Sequence, residues 1–255
     1  MINVLRAENR KMLSARMTWI LLAATVLLSL IYVLSYSLIA GKDLGSGMML
    51  PSLESELAVL LVYSGIGMGA YVIAIVLGVI SSTAELRYRT ATLTYLATPS
   101  RSRVLAAKFI ISLIWGAGFA LIDLVVCVPV SMAIINSGPH WQIPTDMLLD
   151  ISLGTVVGFS LYAALGVGLG ALMRNQIGAI VGTLTWVFVV EAIFMALMPE
   201  QGKWMPGGAM AALAQSRSLQ GQEFLSPQQG GYLLLIYAVV VGLVAALTSV
   251  RRDVT

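Results

Sequence analysis

The stretch Ala58–Ile80 reads AVLLVYSGIGMGAYVIAIVLGVI and contains no charged side chain. It does not alternate apolar with polar positions, so a half-buried strand is excluded. A run of about 20 apolar residues crosses about 30 Å of hydrocarbon as a helix, with every backbone group bonded internally. Five more segments meet that length. The set is roughly Trp19–Ala40, Ala58–Ile80, Phe109–Ile135, Ile151–Met173, Ile177–Met198 and Tyr232–Val250. The predicted fold class is an all-α integral membrane protein with six spans, forming one domain over 19–255.

Composition agrees. Of 255 residues 58% are hydrophobic and 11% charged, where a soluble domain carries about a quarter charged. The net charge of +3 is spread over short loops without aromatic interleaving, which argues against a nucleic-acid partner. Cys127 is alone in an apolar run, so no disulfide framework exists. The opening residues do not read as a cleaved leader. The segment before the first apolar run is long and basic, and no small-residue cleavage site follows it.

The basic residues set the expected orientation. Arg6, Arg10, Lys11, Arg16, Arg87, Arg89, Arg101, Arg103, Lys108, Arg174, Arg251 and Arg252 share one side. The opposite loops hold Lys42, Lys203 and Arg217, with Asp43, Glu54, Glu56, Asp146, Asp150, Glu200 and Glu223. The positive-inside rule places both termini in the cytoplasm, and the expected location is a bacterial cytoplasmic membrane. Trp19, Trp141 and Trp204 fall at expected interfaces.

Residues 1–18 are expected to form an amphipathic helix lying in the cytoplasmic interface among membrane lipid. Ile2, Leu5, Met12 and Leu13 share its apolar face. Between spans two and three runs SSTAELRYRTATLTYLATPSRSRVLAAK, Ser81–Lys108. This predicts a short cytoplasmic helix, a break near Thr98, and a restart with Thr98 as N-cap and Pro99 at the first helical position. A plain basic loop is the alternative, but Arg174–Gln176 shows how short such a loop can be. On the outer side, Gly208–Gln215 predicts a short surface helix. Gly154 with Gly158, and Gly178 with Gly182, are spaced for close helix packing.

Two acids lie inside spans, which is costly in lipid. Asp123 and Glu191 sit equally far beyond the span starts Phe109 and Ile177, about 21 Å along each helix. They either face a common polar cavity, meeting a cationic group or exchanging protons, or are held by neighbouring helices. Tyr32, Tyr36, Tyr63, Tyr71 and Trp186 are candidates to line a route for an amphipathic compound; plain packing is the alternative. His140 has no histidine or cysteine partner, so no metal site is expected. Intramembrane enzyme signatures such as H-E-x-x-H are absent from the sequence, so the chain is not expected to be an enzyme.

Three motifs together resemble the permease subunits of type-2 ATP-binding-cassette (ABC) transporters. The first runs from Glu85-Leu-Arg87-Tyr-Arg89-Thr90 through Leu93 and Leu96 to Thr98-Pro99-Ser100-Arg101 and Lys108. The second is Gly166-Val-Gly168-Leu-Gly170 followed by Arg174-Asn175-Gln176. The third, Trp186 through Glu191 to Pro199 and then Trp204-Met205-Pro206-Gly207, looks like the bacterial drug-export branch. One departure is Arg89, where family members often carry glycine before the threonine.

The resemblance implies a permease without a catalytic site or cofactor of its own. ATP and Mg would be bound by a separate soluble P-loop ATPase; no G-x-x-x-x-G-K-[ST] loop occurs in this sequence. It implies two permeases, the second a copy or a paralogue, with two ATPases. Glu85, Arg87, Arg89, Thr90 and Arg101 would couple to the ATPase, with Arg174 and Asn175 as a smaller contact. The substrate would be amphipathic or drug-like, with multidrug resistance as the expected phenotype. The competing reading is a proton-coupled secondary transporter using Asp123 and Glu191, although no clear repeat relates the two halves.

Overall fold

The computed structural model describes residues 1–43, 50–90, 92, 94, 96, 98, 100–217 and 223–251. Leu93, Pro99 and Arg252 of the readings above lie outside them. Among the described residues every regular element is helical. They are α1 (Ile2–Ser14), α2 (Arg16–Ile39), α3 (Glu56–Arg87), α4 (Arg101–Ile135), α5 (Thr145–Met173), α6 (Gln176–Thr185), a π-helical turn (Trp186–Val190), α7 (Glu191–Leu197), α8 (Pro199–Gly202), α9 (Pro206–Leu213) and α10 (Pro227–Arg251). Six continuous helical stretches are long and apolar enough to cross a membrane: α2, α3, α4, α5, α6 to α7, and α10.

α3 is the axis of the bundle. In its most apolar window 83% of residues are buried, against 17% in the stretch Gln176–Leu197. Its closest neighbour is α5. A side chain added to Gly78 would run into the Ala163 carbonyl, and one added to Gly166 into the Ile75 carbonyl. The two backbones therefore touch at reciprocal points. Lipid is as apolar as leucine and supplies little drive for helix association, so such close dispersion contacts carry it.

Two apolar clusters surround this axis. One joins Val33, Tyr36, Tyr63, Ile66, Leu124, Ile135 and Ile151 across α2, α3, α4 and α5. The other joins Met12, Tyr71, Phe119, Phe159, Tyr162, Met210 and Leu234 and draws in α9 and α10. Gly154 packs on the Leu213 carbonyl and Gly158 on Met210, as their spacing predicts. Gly178 and Gly182 do not behave alike. The nearest atoms to their added carbons belong to Asn175 and Met173, beside the turn that starts α6.

Three local expectations change. The short outer helix exists as α9, but Gly207–Leu213 are all buried within the bundle rather than lying on its surface. The reason is size: Gly207, Gly208, Ala209, Ala211 and Ala212 carry at most a methyl group, so α9 fits between α5 and α10. The restart after the break comes later than Thr98. Ser100 is the N-cap of α4, and the Thr98 N–H still bonds back to the Thr94 carbonyl at 2.9 Å. In α1, Met12 is buried and Leu5 packs against the core, but Ile2 and Leu13 are exposed. The inward face of α1 is completed by Glu8.

Candidate functional site

Two regions hold most of the candidate residues. The first is the hook between α3 and α4. α3 ends on a left-handed residue: Arg89 has φ 57°. The Arg89 N–H bonds the Leu86 carbonyl at 3.3 Å and the Thr90 N–H bonds the Glu85 carbonyl at 2.9 Å. This paired pattern is a Schellman cap, which normally takes glycine at that position. Arg89 adopts the conformation that glycine would. Beyond it Thr92, Thr94 and Leu96 are helical. Arg87, Tyr88, Arg89 and Thr90 are exposed, with the Arg87 guanidinium 5.8 Å from the Tyr88 ring centre. Arg101 is half-buried in the first turn of α4.

Glu85 does not share that surface. It is 8% exposed and turned inward. Its Oε2 lies 3.4 Å from Lys108 Nζ, and its Oε1 accepts from Lys11 and, at 3.0 Å, from the Thr94 hydroxyl. Lys108 Nζ also donates to Glu8 Oε2 at 2.8 Å and to the Ser81 carbonyl at 3.0 Å, while Lys11 Nζ is 2.5 Å from Glu8 Oε1. Burial opposes the Lys11 charge, yet the Glu8 and Glu85 carboxylates beside it hold its ammonium above the usual lysine range. Trp115 Nε1 donates to Asn9 Oδ1 at 2.9 Å, adding a neutral tie. Two acids and two lysines thus fasten α1, the end of α3 and the start of α4 into one unit. Glu8, Lys11 and Asn9 were not among the sequence candidates. Nothing local in sequence announces that Glu8 and Lys108 meet.

The second turn at this end is shorter. α5 closes on Arg174 in the left-handed region, φ 54°. Asn175 then caps α6, its Oδ1 accepting from the Gly178 N–H at 3.0 Å. Arg87 reaches the Gln176 side chain at 3.4 Å, so the two turns adjoin.

The second region surrounds Glu191. In an α-helix residues five apart point to different faces. Here the π turn bonds the Glu191 N–H to the Trp186 carbonyl and brings the two side chains together. Trp186 Nε1 donates to Glu191 Oε1 at 2.8 Å. The Gly207 N–H, at the start of α9, donates to Oε2 at 2.8 Å. A side chain on Gly207 would collide with that same oxygen, so the close approach requires glycine. π turns concentrate at functional sites, and WVFVV gives no sequence cue for one.

Glu191 opens onto a cavity of about 380 Å³. Its wall includes Tyr162, Trp186, Tyr237, Met173, Met205 and Thr183. Tyr71 packs edge-on against Tyr162, with ring centres 4.8 Å apart.

Asp123 is elsewhere. It is fully buried, accepts from Ser29 Oγ at 2.8 Å and is 3.5 Å from Cys127 Sγ. The same serine hydroxyl lies 3.0 Å from the Ile66 carbonyl. Asp123 therefore ties α2, α3 and α4 together and does not line the Glu191 cavity, so the two acids share no polar chamber among the described residues. Tyr63 is packed in the core beside this cluster. Tyr32 stacks on Tyr36 with centroids 6.4 Å apart, between α2 and α3. Among the aromatic candidates, Trp186 alone lines the Glu191 cavity directly.

Comparison with known proteins supplies the family. No curated protein matches the chain. A family model described as "ABC-2 family transporter protein" matches residues 4–191, from α1 through the hook and the π turn to Glu191. With six membrane-length helices joined by that hook, this multi-pass membrane protein belongs to the ABC-2 transporter family.

Proposed function

We propose that this chain is the permease subunit of a bacterial ABC exporter, lying in the cytoplasmic membrane with both termini inside. A separate soluble P-loop ATPase, carrying ATP and Mg, drives it. Two permeases, either two copies or a pair of paralogues, work with two ATPases. The cargo is amphipathic or drug-like, of the kind the drug-export branch handles.

The observation that carries this reading is the braced hook. A motor docking on a membrane protein must push on something stiff, or the stroke is lost in bending. Exposed Arg87, Arg89 and Thr90, with Arg101, form the docking side, and the Arg174–Asn175 turn extends it. Glu85 works from behind, holding the hook to Lys11 and Lys108. A push on the hook then moves α1, α3 and α4 together as a rigid body. Glu191 and Trp186 mark the substrate route. Asp123, Tyr32, Tyr36 and Tyr63 maintain the packing of α2 against α3 and α4. A proton-coupled carrier would need Asp123 and Glu191 on one path, and no observation favours that.

The test is to co-purify the chain from its native membrane and reconstitute it with the P-loop ATPase recovered. Arg87→Glu with Arg89→Glu should abolish co-purification or substrate-stimulated ATP hydrolysis while leaving the permease folded. Transport by the purified chain with no ATPase bound would overturn the proposal, as would external labelling of Tyr88→Cys in intact cells.

A further inference from the structure

Resting on that permease reading, we propose that the Glu191 cavity is a binding site for a lipophilic monovalent cation, an aromatic or alkyl body bearing one positive charge.

The carboxylate carries the argument first. Both of its oxygens are taken by groups that only donate: the Trp186 indole N–H and the Gly207 backbone N–H, each at 2.8 Å. A carboxylic acid proton placed on either oxygen finds no acceptor in the hydrogen-bond set of Glu191. These hydrogen bonds favour the anion, against the cost of burying it. Yet no lysine, arginine or histidine lines the cavity. The start of α9 offers the equivalent of about half a positive charge at most, against a full negative one. The hook pairs its buried acids with lysines, and Asp123 is sealed in packing on Ser29 and Cys127, whereas Glu191 faces a cavity. At Glu191 the place of the cation is left to a ligand.

A second, independent observation lies on the same wall. Tyr162 belongs to the same wall, and its completely buried hydroxyl has no hydrogen-bond partner among the described residues. A buried polar atom without a partner costs about 1–3 kcal/mol, a cost that a polar group brought in beside Tyr162 would relieve. The rest of the wall suits the body of such a ligand. Trp186 and Tyr237 supply aromatic rings of the kind that attract a cation, and Met173 and Met205 are polarizable and adaptable. The volume, about 380 Å³, lies in the range of small-molecule sites. Trp186 is 46% exposed on the outer face of the bundle, so the ligand reaches the carboxylate from the lipid side by displacing one indole. A metal ion is a poor fit: hard cations take about six oxygens, and no cluster of three or more potential ligands occurs among the described residues.

The experiment uses the full chain in nanodiscs and an isosteric pair of opposite charge, tetraphenylphosphonium and tetraphenylborate. Saturable binding is measured above that of empty nanodiscs. The expected result is binding of the phosphonium that the borate does not compete away. Glu191→Gln should weaken it by about tenfold or more, the scale of one lost buried charge pair, and Asp146→Asn should not alter it. Wild-type protein that fails to prefer the cation overturns the proposal without recourse to any variant. So does a folded Glu191→Gln protein that binds the phosphonium as well as wild type. Co-purification with the ATPase is scored on the same preparations. If the ATPase is retained and the cation is not, only this inference fails. If no ATPase is recovered, the permease reading fails by itself.

Discussion

The hook and the Glu191 cavity each bury acid in an apolar protein, and they do so in opposite ways. At the hook, Glu8 and Glu85 meet Lys11 and Lys108, so every buried charge has a counter-charge within the fold. In the cavity, Glu191 meets two neutral N–H donors and no cation. The difference separates a fastening from a site. A closed ion network has no valence left for a visitor, and breaking it costs the fold. A carboxylate held by dipoles alone is positioned but not neutralised, and removing its charge costs the fold little. The energetic sign of each acid thus follows from what stands opposite it.

The largest effect expected from that contrast is at Lys108. Lys108→Met removes the more deeply buried of the two cations that Glu8 and Glu85 share and leaves them only the half-exposed Lys11, a loss of about 3–5 kcal/mol. Thermal unfolding of the purified protein should show it, and adding Glu8→Gln should restore part of the loss through a coupling term. Because the Lys11 pKa is raised on folding, its share of the fastening is complete below about pH 10 and fades only above that. Stability of the wild type should therefore not vary with the Lys11 charge between about pH 6 and 9.

A smaller loss is expected at Gly207. Gly207→Ala drives a methyl group into Glu191 Oε2, an overpacking cost of about 1–3 kcal/mol. It should also release the Trp186 indole, read as a shift in its fluorescence against a Trp186→Phe control. Glu191→Gln should stay within about 1 kcal/mol of wild type, since relief from burying a lone charge offsets the weakened hydrogen bonds. A loss there as large as that of Lys108→Met would erase the distinction between the two regions.

The smallest effect is a gain. Arg89→Gly removes the left-handed strain on a non-glycine residue, about 1–2 kcal/mol. Glycine's greater freedom in the unfolded chain returns about 0.5–1. A net stabilisation of about half a kcal/mol remains, measurable as a small rise in Tm, and it should leave the ion network intact.

Much of this fold is legible residue by residue. Ala58–Ile80 announces a span because nothing in it is charged, and α3 then runs on to Arg87 because the end of that helix is braced by lysines that hydropathy cannot see. The departure at Arg89 was visible in the sequence, but the left-handed turn there was found only in the structure. The role of Glu85 was not legible, since its partners come from α1 and α4. Asp123 and Glu191 stand at matching depths in sequence. Their separation into a packing tie and a cavity wall depends on which faces of α4 and α7 turn inward.

The sequence alone determined the six apolar helices, their order and the basic hook, because hydrophobic length and backbone satisfaction in lipid are local requirements that each segment meets by itself. Only the tertiary structure decided that Glu8 answers Lys108, that α9 sinks between α5 and α10, and that a π turn lays Trp186 over Glu191. Those outcomes depend on close packing and pairing between residues far apart in the chain, and no single segment carries that information.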